Sequence, residues 1–482
     1  MKTDRKKALL PIILCIVLIA ALVFGLNWYR NTYITINDTV YAREITELDL
    51  SGSPSPELEK LSELSGLQQL NLRDTGISNE EYEAVRAALT GCEILWSVPF
   101  QGGFLPDDTD EITLTSLTDA DVAVLAAYLP GLSRVQAEGC TDYDQLMLLR
   151  AAFPQADVSY SVSVNGRSWP MDTAEMVLTD ADAEELSAAL PYLPGLKAVT
   201  LEGQLPPAEA LIALRQAYPG IRFYWQISLF GQTADVDTTE LDLSGILMDS
   251  TRELEAAVAY LPSLERVYMH DCGIPNDDME ALNNRHENIL FVWTVKIGYQ
   301  YFSTDTTTFM PLQLRLPLGD WNSHNLRYLT ELIVLDLGHQ EITHIEFVAT
   351  MSKLKYLIIG DTDVGDISPL TGLDQLIYLE IFDTPVTDYT PLLTLTAMED
   401  MNLSYTYGDY KIIAQMTWVD YIRWVQNYVL QITDEQKEYL RAQMPDTLLE
   451  LGAHTSATAG QWRKTQNYYD MRDLLGMFYM HG

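Results

Sequence analysis

The sequence predicts an α/β solenoid, in which stacked coils pair their strands as a parallel sheet on a concave face, after one N-terminal transmembrane helix. Three observations predict it. Leucine-type residues recur every 22 residues in the C-terminal third, a longer motif recurs about every 65 residues before it, and an uncharged run lies near the N-terminus. At 482 residues the chain is too long for one ordinary core, and a repeat array accounts for that length.

The N-terminal run extends without a charge from Ala8 to Leu26, which is about long enough to span a bilayer as a helix. Basic residues precede it, and Trp28, Tyr29 and Arg30 follow, as at a membrane interface. The basic flank predicts a cytoplasmic N-terminus and an extracellular bulk, so the chain is expected at the cell membrane as a single-pass protein. The alternative is a cleaved signal peptide, although a small-residue cleavage site is poorly represented here.

The 22-residue period begins in "LTELIVLDLGHQ" (329–340). Its apolar positions recur down the chain: Leu332, Leu335 and Leu337; Leu354, Leu357 and Ile359; Leu376, Leu379 and Ile381; Met398, Met401 and Leu403; and, after a slightly shorter step, Val419, Ile422 and Trp424. Apolar residues two positions apart face the same side of a strand. One coil cannot bury that side alone, so the coils are expected to stack over a continuous core.

This L-x-x-L-x-L pattern resembles the leucine-rich repeat family, most closely the 22-residue type of bacterial internalin-like surface proteins. "DISPLTGL" (366–373) and "DYTPLLTL" (388–395) resemble the back-side segment of that type. The resemblance implies a leucine-rich repeat solenoid of a Gram-positive bacterium that works by binding a protein or peptide.

The first two-thirds of the chain repeats a longer unit of about 65 residues. "LQQLNLRDT" (67–75), "LSRVQAEGC" (132–140), "LKAVTLEGQ" (196–204) and "LERVYMHDC" (264–272) mark the four copies. Each unit begins with a strand-like piece, continues with a helix-like stretch, and ends with an alternating apolar run, which predicts a strand. A glycine-containing turn follows that run, so each unit is expected to be three coils with a protruding hairpin.

These patterns divide the chain into a cytoplasmic tail (1–7), a transmembrane anchor (8–28), a linker (29–44), four irregular units (45–310), regular repeats (311–430) and a C-terminal cap (431–482). Within the cap, residues 432–444 predict a helix with Thr433 as its N-cap and Gln436 at the capping-box position. The aromatic segment 460–480 is expected to cover the last open core, and a partner-binding tail is the alternative.

The chemistry-bearing residues predict no enzyme. The net charge of −38 argues against nucleic acid as a partner, because phosphate would be repelled. No nucleophile elbow, P-loop or dinucleotide fingerprint is present, and the seven histidines form no metal motif, so no catalytic residue, cofactor or metal is predicted. Loose calcium binding by acidic clusters such as "DDTDE" (107–111) and a carboxylate pair for glycoside hydrolysis remain alternatives.

Cys140 and Cys272 both occupy the ninth repeat position, which is held by threonine in Thr75, Thr362, Thr384 and Thr406. Six coils, on the order of 29 Å, separate the two cysteines at the spacing of adjacent strands. That distance is far too long for a disulfide. Both are therefore predicted to be buried free thiols.

Strand residues between the core leucines are expected to stack in columns on the concave face. The predicted partner-binding surface consists of Val334, Tyr356, Ile358, Ile377, Tyr378, Phe382, Glu380, Asp361, Asp383 and Tyr405. Contiguous exposed aromatic surface with carboxylates at its edge favours a protein or peptide ligand. The alternative at these positions is that the C-terminal cap or a hairpin covers the aromatics and makes them core. The rival functions are cell-wall glycan binding or processing and a structural envelope spacer.

Overall fold

The computed structural model describes residues 4–54, 56–429 and 431–477, and the chain forms two compact units, Met1–Tyr224 and Trp225–Gly482. Lys2 of the predicted cytoplasmic tail and residues 478–482 of the predicted cap lie outside the described residues. Helix α1 (Asp4–Thr32) contains a stretch, Ile12–Thr32, that is long and apolar enough to cross a membrane. Its apolar side chains from residue 12 onward are exposed.

The first unit alternates short strands with helices. Its strands are β1 (Tyr33–Ile36), β2 (Thr39–Ala42), β3 (Glu47–Asp49), β4 (Gln69–Leu72), β5 (Glu93–Phe100), β6 (Gly103–Pro106), β7 (Glu111–Thr113), β8 (Arg134–Gln136), β9 (Asp157–Ser159), β10 (Ser161–Val164), β11 (Arg167–Pro170), β12 (Glu175–Thr179) and β13 (Ala198–Glu202). Its further helices are α2 (Asn79–Ala88), α3 (Asp119–Tyr128), α4 (Tyr143–Ala152), α5 (Ala183–Ala189) and α6 (Ala208–Ala217).

The second unit continues the alternation and then becomes regular. Its strands are β14 (Arg222–Leu229), β15 (Gln232–Asp235), β16 (Glu240–Asp242), β17 (Arg266–Tyr268), β18 (Leu290–Val292), β19 (Thr294–Ile297), β20 (Gln300–Ser303), β21 (Thr308–Phe309), β22 (Val334–Asp336), β23 (Tyr356–Ile358), β24 (Tyr378–Glu380), β25 (Asp400–Asn402), β26 (Tyr421–Gln426) and β27 (Leu448–Ala453). Its helices are α7 (Arg252–Val258), α8 (Asn276–Arg285), α9 (Pro311–Leu314), α10 (Asp320–Ser323), α11 (Tyr410–Ile413), α12 (Asp434–Gln443) and α13 (Gln466–Leu474).

Within each repeat unit of about 65 residues the strands pair in parallel up to the hairpin, as the repeat pattern predicts. Strands β3, β4 and β5 pair in parallel, and so do β7 to β9 and β16 to β18. Each third strand then leads into an antiparallel hairpin, which confirms the predicted turns. The central residues Asn165 and Gly166 have φ of 54° and 65°, the left-handed pair of a type I′ turn, which matches the twist of the flanking strands.

The irregular units are joined by what we call aromatic locks. A large aromatic residue near the end of each third strand contacts a tyrosine of the next unit. The four pairs are Trp96 with Tyr128, Tyr160 with Tyr192, Trp225 with Tyr260, and Trp293 with Tyr328. In the second lock the tyrosine hydroxyl donates to the next unit's backbone carbonyl at 2.8 Å, and in the third the indole N–H does so at 2.9 Å. These two locks therefore satisfy the polar atom of a buried aromatic residue across a repeat border, whereas the Trp293 indole N–H donates to Asn276 within its own unit.

The regular coils form one seven-stranded sheet in the order β21 to β27, with parallel pairing throughout. The predicted apolar positions, such as Leu335, Leu357 and Leu379, are fully buried in one continuous core beneath the sheet. Short 3₁₀ turns, among them Ser368–Leu370 and Thr390–Thr394, form the back of the coils in place of long helices.

The side chain at the ninth repeat position forms a hydrogen bond within the turn that follows the strand, as three of the threonines show. The hydroxyls of Thr75, Thr362 and Thr384 each donate to the carbonyl three residues earlier at 2.7 Å, inside the coil. Cys140 and Cys272 are buried free thiols, and the Cys272 thiol donates to the Leu243 carbonyl at 3.2 Å. The three threonine hydroxyls thus act as donors to turn carbonyls inside the coil, and the Leu243 carbonyl accepts the Ile246 backbone N–H as well as the Cys272 thiol.

Candidate functional site

The columns predicted from the 22-residue period exist in register. Strand pairing places Val334, Tyr356, Tyr378, Asp400 and Tyr421 side by side in one column. A second column, two residues further along each strand, contains Asp336, Ile358, Glu380, Asn402, Arg423 and Glu450. Both columns lie on the side of the sheet that is opposite the leucine core, which we call the sheet face.

Residues 455–477, which we call the cover segment, lie across the sheet face. Its residues Trp462, Tyr468, Met471 and Leu475 form one buried cluster with column residues including Tyr356 and Tyr378. The Trp462 ring stacks on Tyr378 with 5.2 Å between the ring centroids. The sheet face is therefore an interface within the chain, formed by α13 and the extended stretch before it.

The prediction that the apolar side chains of the site are exposed is wrong for most of them. Val334, Tyr356, Ile358, Tyr378 and Phe382 are buried. The physical reason is the alternative recognised from the sequence: the C-terminal segment covers the aromatic column, because an uncovered row of such side chains would face water. Ile377 is half-buried and packs at the border of the same cluster.

Glu380 is the charged centre of the covered area. Its side chain is 0% exposed, yet it accepts three hydrogen bonds from the cover segment. The Trp462 indole N–H donates at 3.0 Å, and the Arg463 guanidinium donates from Nε at 3.0 Å and from Nη2 at 2.6 Å. The Tyr378 hydroxyl donates a further bond, and burial raises the pKa of Tyr378 well above its usual value. A buried carboxylate is stable only when its lone pairs are satisfied in this way.

Arg423 forms hydrogen bonds with the backbone of the cover segment. Its fully buried guanidinium donates from Nε to the Ala457 carbonyl at 2.7 Å and from Nη2 to the Ser456 carbonyl at 2.9 Å. Asn402 donates to the same Ala457 carbonyl at 3.2 Å, and Glu450 forms an ion pair with Arg423. Two side chains of one column thus supply donors to an extended polypeptide that belongs to no strand of the sheet.

A column of acidic turn residues stays open at the edge of the sheet face. Asp361 and Asp383 are exposed, each in the left-handed backbone conformation that follows a strand, with φ of 58° and 51°. The His339 imidazole Nδ1 lies 2.5 Å from the Asp361 carboxylate. Partial burial, together with the neighbouring Asp361 carboxylate, raises the pKa of Asp383. Tyr405 ends this column, and its half-buried hydroxyl donates to the His454 carbonyl.

Asp336 is half-buried at the opposite end of the second column from Glu450. Burial, reinforced by the Glu380 charge, raises its pKa to about 6, against the lowering effects of the Gly338 backbone N–H, Arg463 and His339. The carboxylate accepts the Gly338 N–H at 3.0 Å. This end of the second column therefore gains a proton at a pH where exposed aspartates stay charged.

Several residues of this site are absent from the predicted set, among them Tyr421, Arg423, Trp462 and Arg463. The fifth repeat is recognisable by Val419 and Ile422, and extending the columns by one coil would have found the first two. No periodic signal marks Trp462 or Arg463, because the cover segment lies outside the repeats and contacts residues about 80 positions earlier.

Comparison with solved structures finds similarity to several leucine-rich repeat proteins. No family model matches the chain, and no curated protein sequence matches it. An internalin (inlF) from Listeria monocytogenes is 16% identical, with 86% of this chain and 83% of that chain covered and a TM-score of 0.23. An internalin C2 from the same organism is 20% identical over 47% of this chain and 75% of that one, with a TM-score of 0.22. A leucine-rich repeat protein from Leptospira interrogans is 14% identical over 84% of this chain and 96% of that one, with a TM-score of 0.27. The assignment of a leucine-rich repeat fold rests on the parallel coils at 22-residue spacing described above.

Proposed function

We propose that this leucine-rich repeat protein is a membrane-anchored, extracytoplasmic binding protein of a Gram-positive bacterium, which holds another protein or peptide on the concave face of its C-terminal coils. One observation carries the proposal. The buried donors and acceptors of Glu380, Asn402 and Arg423 bond to a segment outside the repeats. A surface equipped to satisfy the backbone carbonyls and a cationic side chain of one polypeptide has the chemistry to hold another.

The acidic edge supports the same class of partner. Asp361 and Asp383 remain exposed beside the covered area, on a chain of net charge −38. Such an edge attracts basic or mixed polypeptide surfaces and orients them before contact. The partner is therefore expected to bring positive charge to this edge.

The test uses the full chain in detergent micelles as bait for its own cell-envelope proteins, at low and high salt. Asp361→Lys/Asp383→Lys is expected to abolish capture, and salt is expected to weaken it, because both remove the electrostatic attraction. Asp366→Lys/Asp388→Lys is the matched control, since it makes the same charge change on the same coils at the 3₁₀ turns, where each carboxylate caps a backbone N–H.

Capture of the same proteins by both variants would contradict binding at this edge. A glycan captured equally at both salt concentrations would favour the rival function of cell-wall glycan binding. If neither the wild-type chain nor either variant captures a partner, the result favours the rival function of a structural envelope spacer.

Anchoring has its own measurement. Uncleaved α1 predicts that the full-length chain stays in the membrane fraction after alkaline extraction and keeps the mass of its N-terminal residues. A mature protein that begins after residue 25 and is released into the soluble fraction would establish a signal peptide instead.

A further inference from the structure

We propose that the sheet face recognises an extended peptide of the pattern Gly-x-Trp-Arg, and that the cover segment is a built-in occupant which such a peptide displaces. This inference rests on the proposed function and names the ligand class of the same site. The pattern is taken from Gly460, Gln461, Trp462 and Arg463, whose contacts define what the face accepts.

The cover segment is attached to the sheet face by side chains. Among the described residues of 455–477, the backbone hydrogen bonds are local ones, such as Lys464 N–H to the Gln461 carbonyl. The last backbone bond from the chain to the neighbouring strand is that of His454 N–H to the Gln426 carbonyl. Release of the cover segment therefore breaks no strand pairing.

The coils keep their core without the cover segment. The leucine core beneath the sheet is composed of residues up to Met444, with Leu449 and Leu451 packed at its border. The cover segment belongs to a separate cluster on the opposite side of the strands. Its departure would expose Tyr356 and Tyr378 and hydrate Glu380 and Arg423, while the stacked coils remain closed.

The contacts specify the ligand residue by residue. Trp462 is held by stacking on Tyr378 and by its N–H bond to Glu380, and an aromatic ring without a donor would lose one of the three hydrogen bonds that Glu380 Oε1 accepts. Arg463 gives the same carboxylate a two-pronged bond that a lysine ammonium cannot reproduce. These two positions make the site selective for Trp followed directly by Arg.

Gly460 is selected by close approach. Its φ is +83°, and a Cβ at this position would lie 2.2 Å from the Glu450 carboxylate Oε1 and 3.1 Å from the Arg423 guanidinium Nη1. Any larger residue would be strained at this φ and would also have to displace the Glu450 carboxylate from the Arg423 guanidinium. A ligand therefore needs glycine two positions before the tryptophan.

The test opens the site without altering the sheet face. Gly460→Val in the full chain, kept in detergent micelles, removes the fit of the cover segment by the clash just described. The probe is a labelled peptide with the sequence of residues 455–466, titrated by fluorescence anisotropy. Control peptides carry Arg463→Glu or the same composition in scrambled order, which separates recognition from the attraction of any basic peptide to an acidic protein.

We expect the opened chain to bind the native peptide saturably, at least 10-fold more tightly than the wild-type chain does. We expect both control peptides to bind at least 10-fold more weakly than the native one, and Glu380→Gln in the opened chain to remove that preference. Equal binding of native and scrambled peptides, or equal binding by opened and wild-type chains, would overturn the proposal.

Two further results separate the possible failures. If Gly460→Val abolishes the cooperative thermal transition of the sheet, the cover segment is an essential cap and the displacement proposal is wrong. If an envelope partner is captured through Asp361 and Asp383 but the native peptide does not bind, the proposed function stands and this inference fails. Binding of the native peptide without capture of any envelope partner would show that the face accepts this pattern, and the failure would then lie in the proposed envelope partner.

Discussion

The Glu380–Arg463 pair predicts an asymmetric response to removing its two charges. Arg463→Met leaves the Glu380 carboxylate, with 0% exposure, beneath the cover segment without a cation. Glu380→Gln instead leaves the Arg463 guanidinium, whose side chain is 32% exposed and can turn toward water. Removing the arginine should therefore weaken docking of the cover segment more than neutralising the glutamate does.

The magnitude follows from which bonds are lost. Arg463→Met removes two of the three bonds donated by Trp462 and Arg463 to a buried charge, and breaking a buried ion pair in this way costs about 3–5 kcal/mol. Glu380→Gln keeps an acceptor in place and loses charge assistance, for which about 1.5–3 kcal/mol is expected. The double variant should cost about 1 kcal/mol less than the sum, because the two groups act on each other.

Hydrogen exchange of the α13 amides measures this docking energy locally. Arg463→Met should speed their exchange about 100-fold or more, up to the limit set by complete release of the cover segment, since each 1.4 kcal/mol is a factor of ten. Protection of strands β22 to β25 should not change. Lys464→Met is the control, because it removes the same charge from an exposed neighbour.

The reasoning would be refuted by either of two results. One is equal acceleration by Arg463→Met and Lys464→Met, which would mean that the guanidinium does not hold the carboxylate. The other is a larger effect of Glu380→Gln than of Arg463→Met.

Three further predictions address other parts of the chain. The pKa of Asp336 is raised to about 6 in the folded protein, so its contribution to stability is present below about pH 4 and is lost as the pH rises through 6. The unfolding temperature of the wild-type chain should therefore fall between about pH 4 and 6, and Asp336→Asn should abolish the share of that fall that is due to Asp336. An unchanged pH profile of the unfolding temperature in Asp336→Asn would contradict this prediction. Thiol titration without denaturant should label Cys92 but neither Cys140 nor Cys272, which are buried, and labelling of the latter pair at the rate of Cys92 would contradict their burial. Trp225→Phe should lower the free energy of unfolding, measured by urea denaturation, by about 1–3 kcal/mol, because it removes the indole N–H that donates to the Tyr260 backbone carbonyl. No change would mean that this indole bond contributes nothing to stability.

Periodicity accounts for what could be predicted from the sequence. A strict 22-residue step sets the register of neighbouring strands, so the columns through Tyr356, Tyr378 and Glu380 follow from counting. The hairpins follow from alternating runs that end in glycine-containing turns. The N-cap of α12 at Thr433 follows from a capping box, which the structure contains.

The cover segment could not be placed in the same way. Its contacts with Glu380 join residues 82 and 83 positions apart and obey no repeat. Aromatic side chains on a strand face give the same sequence signal whether they meet a partner or another part of the chain. Trp462 and Arg463 decide between these two alternatives, and their role is recognisable only once the carboxylate that they contact is known.

The aromatic locks also limit how this array can be shortened or lengthened. Each lock takes one half from a unit and the other half from its successor, so a fragment that stops at a unit border loses that contact. The Tyr160 hydroxyl and the Trp225 indole would then lose the backbone carbonyls to which they donate. The shortest self-sufficient fragment must extend through the tyrosine of the following unit, such as Tyr192 for the lock of Tyr160. Insertion or deletion of one whole repeat unit would again place the aromatic residue of one unit against the tyrosine of the unit that follows it. An insertion or deletion of any other length would not. The array can therefore be shortened or lengthened without loss of these contacts only by complete repeat units.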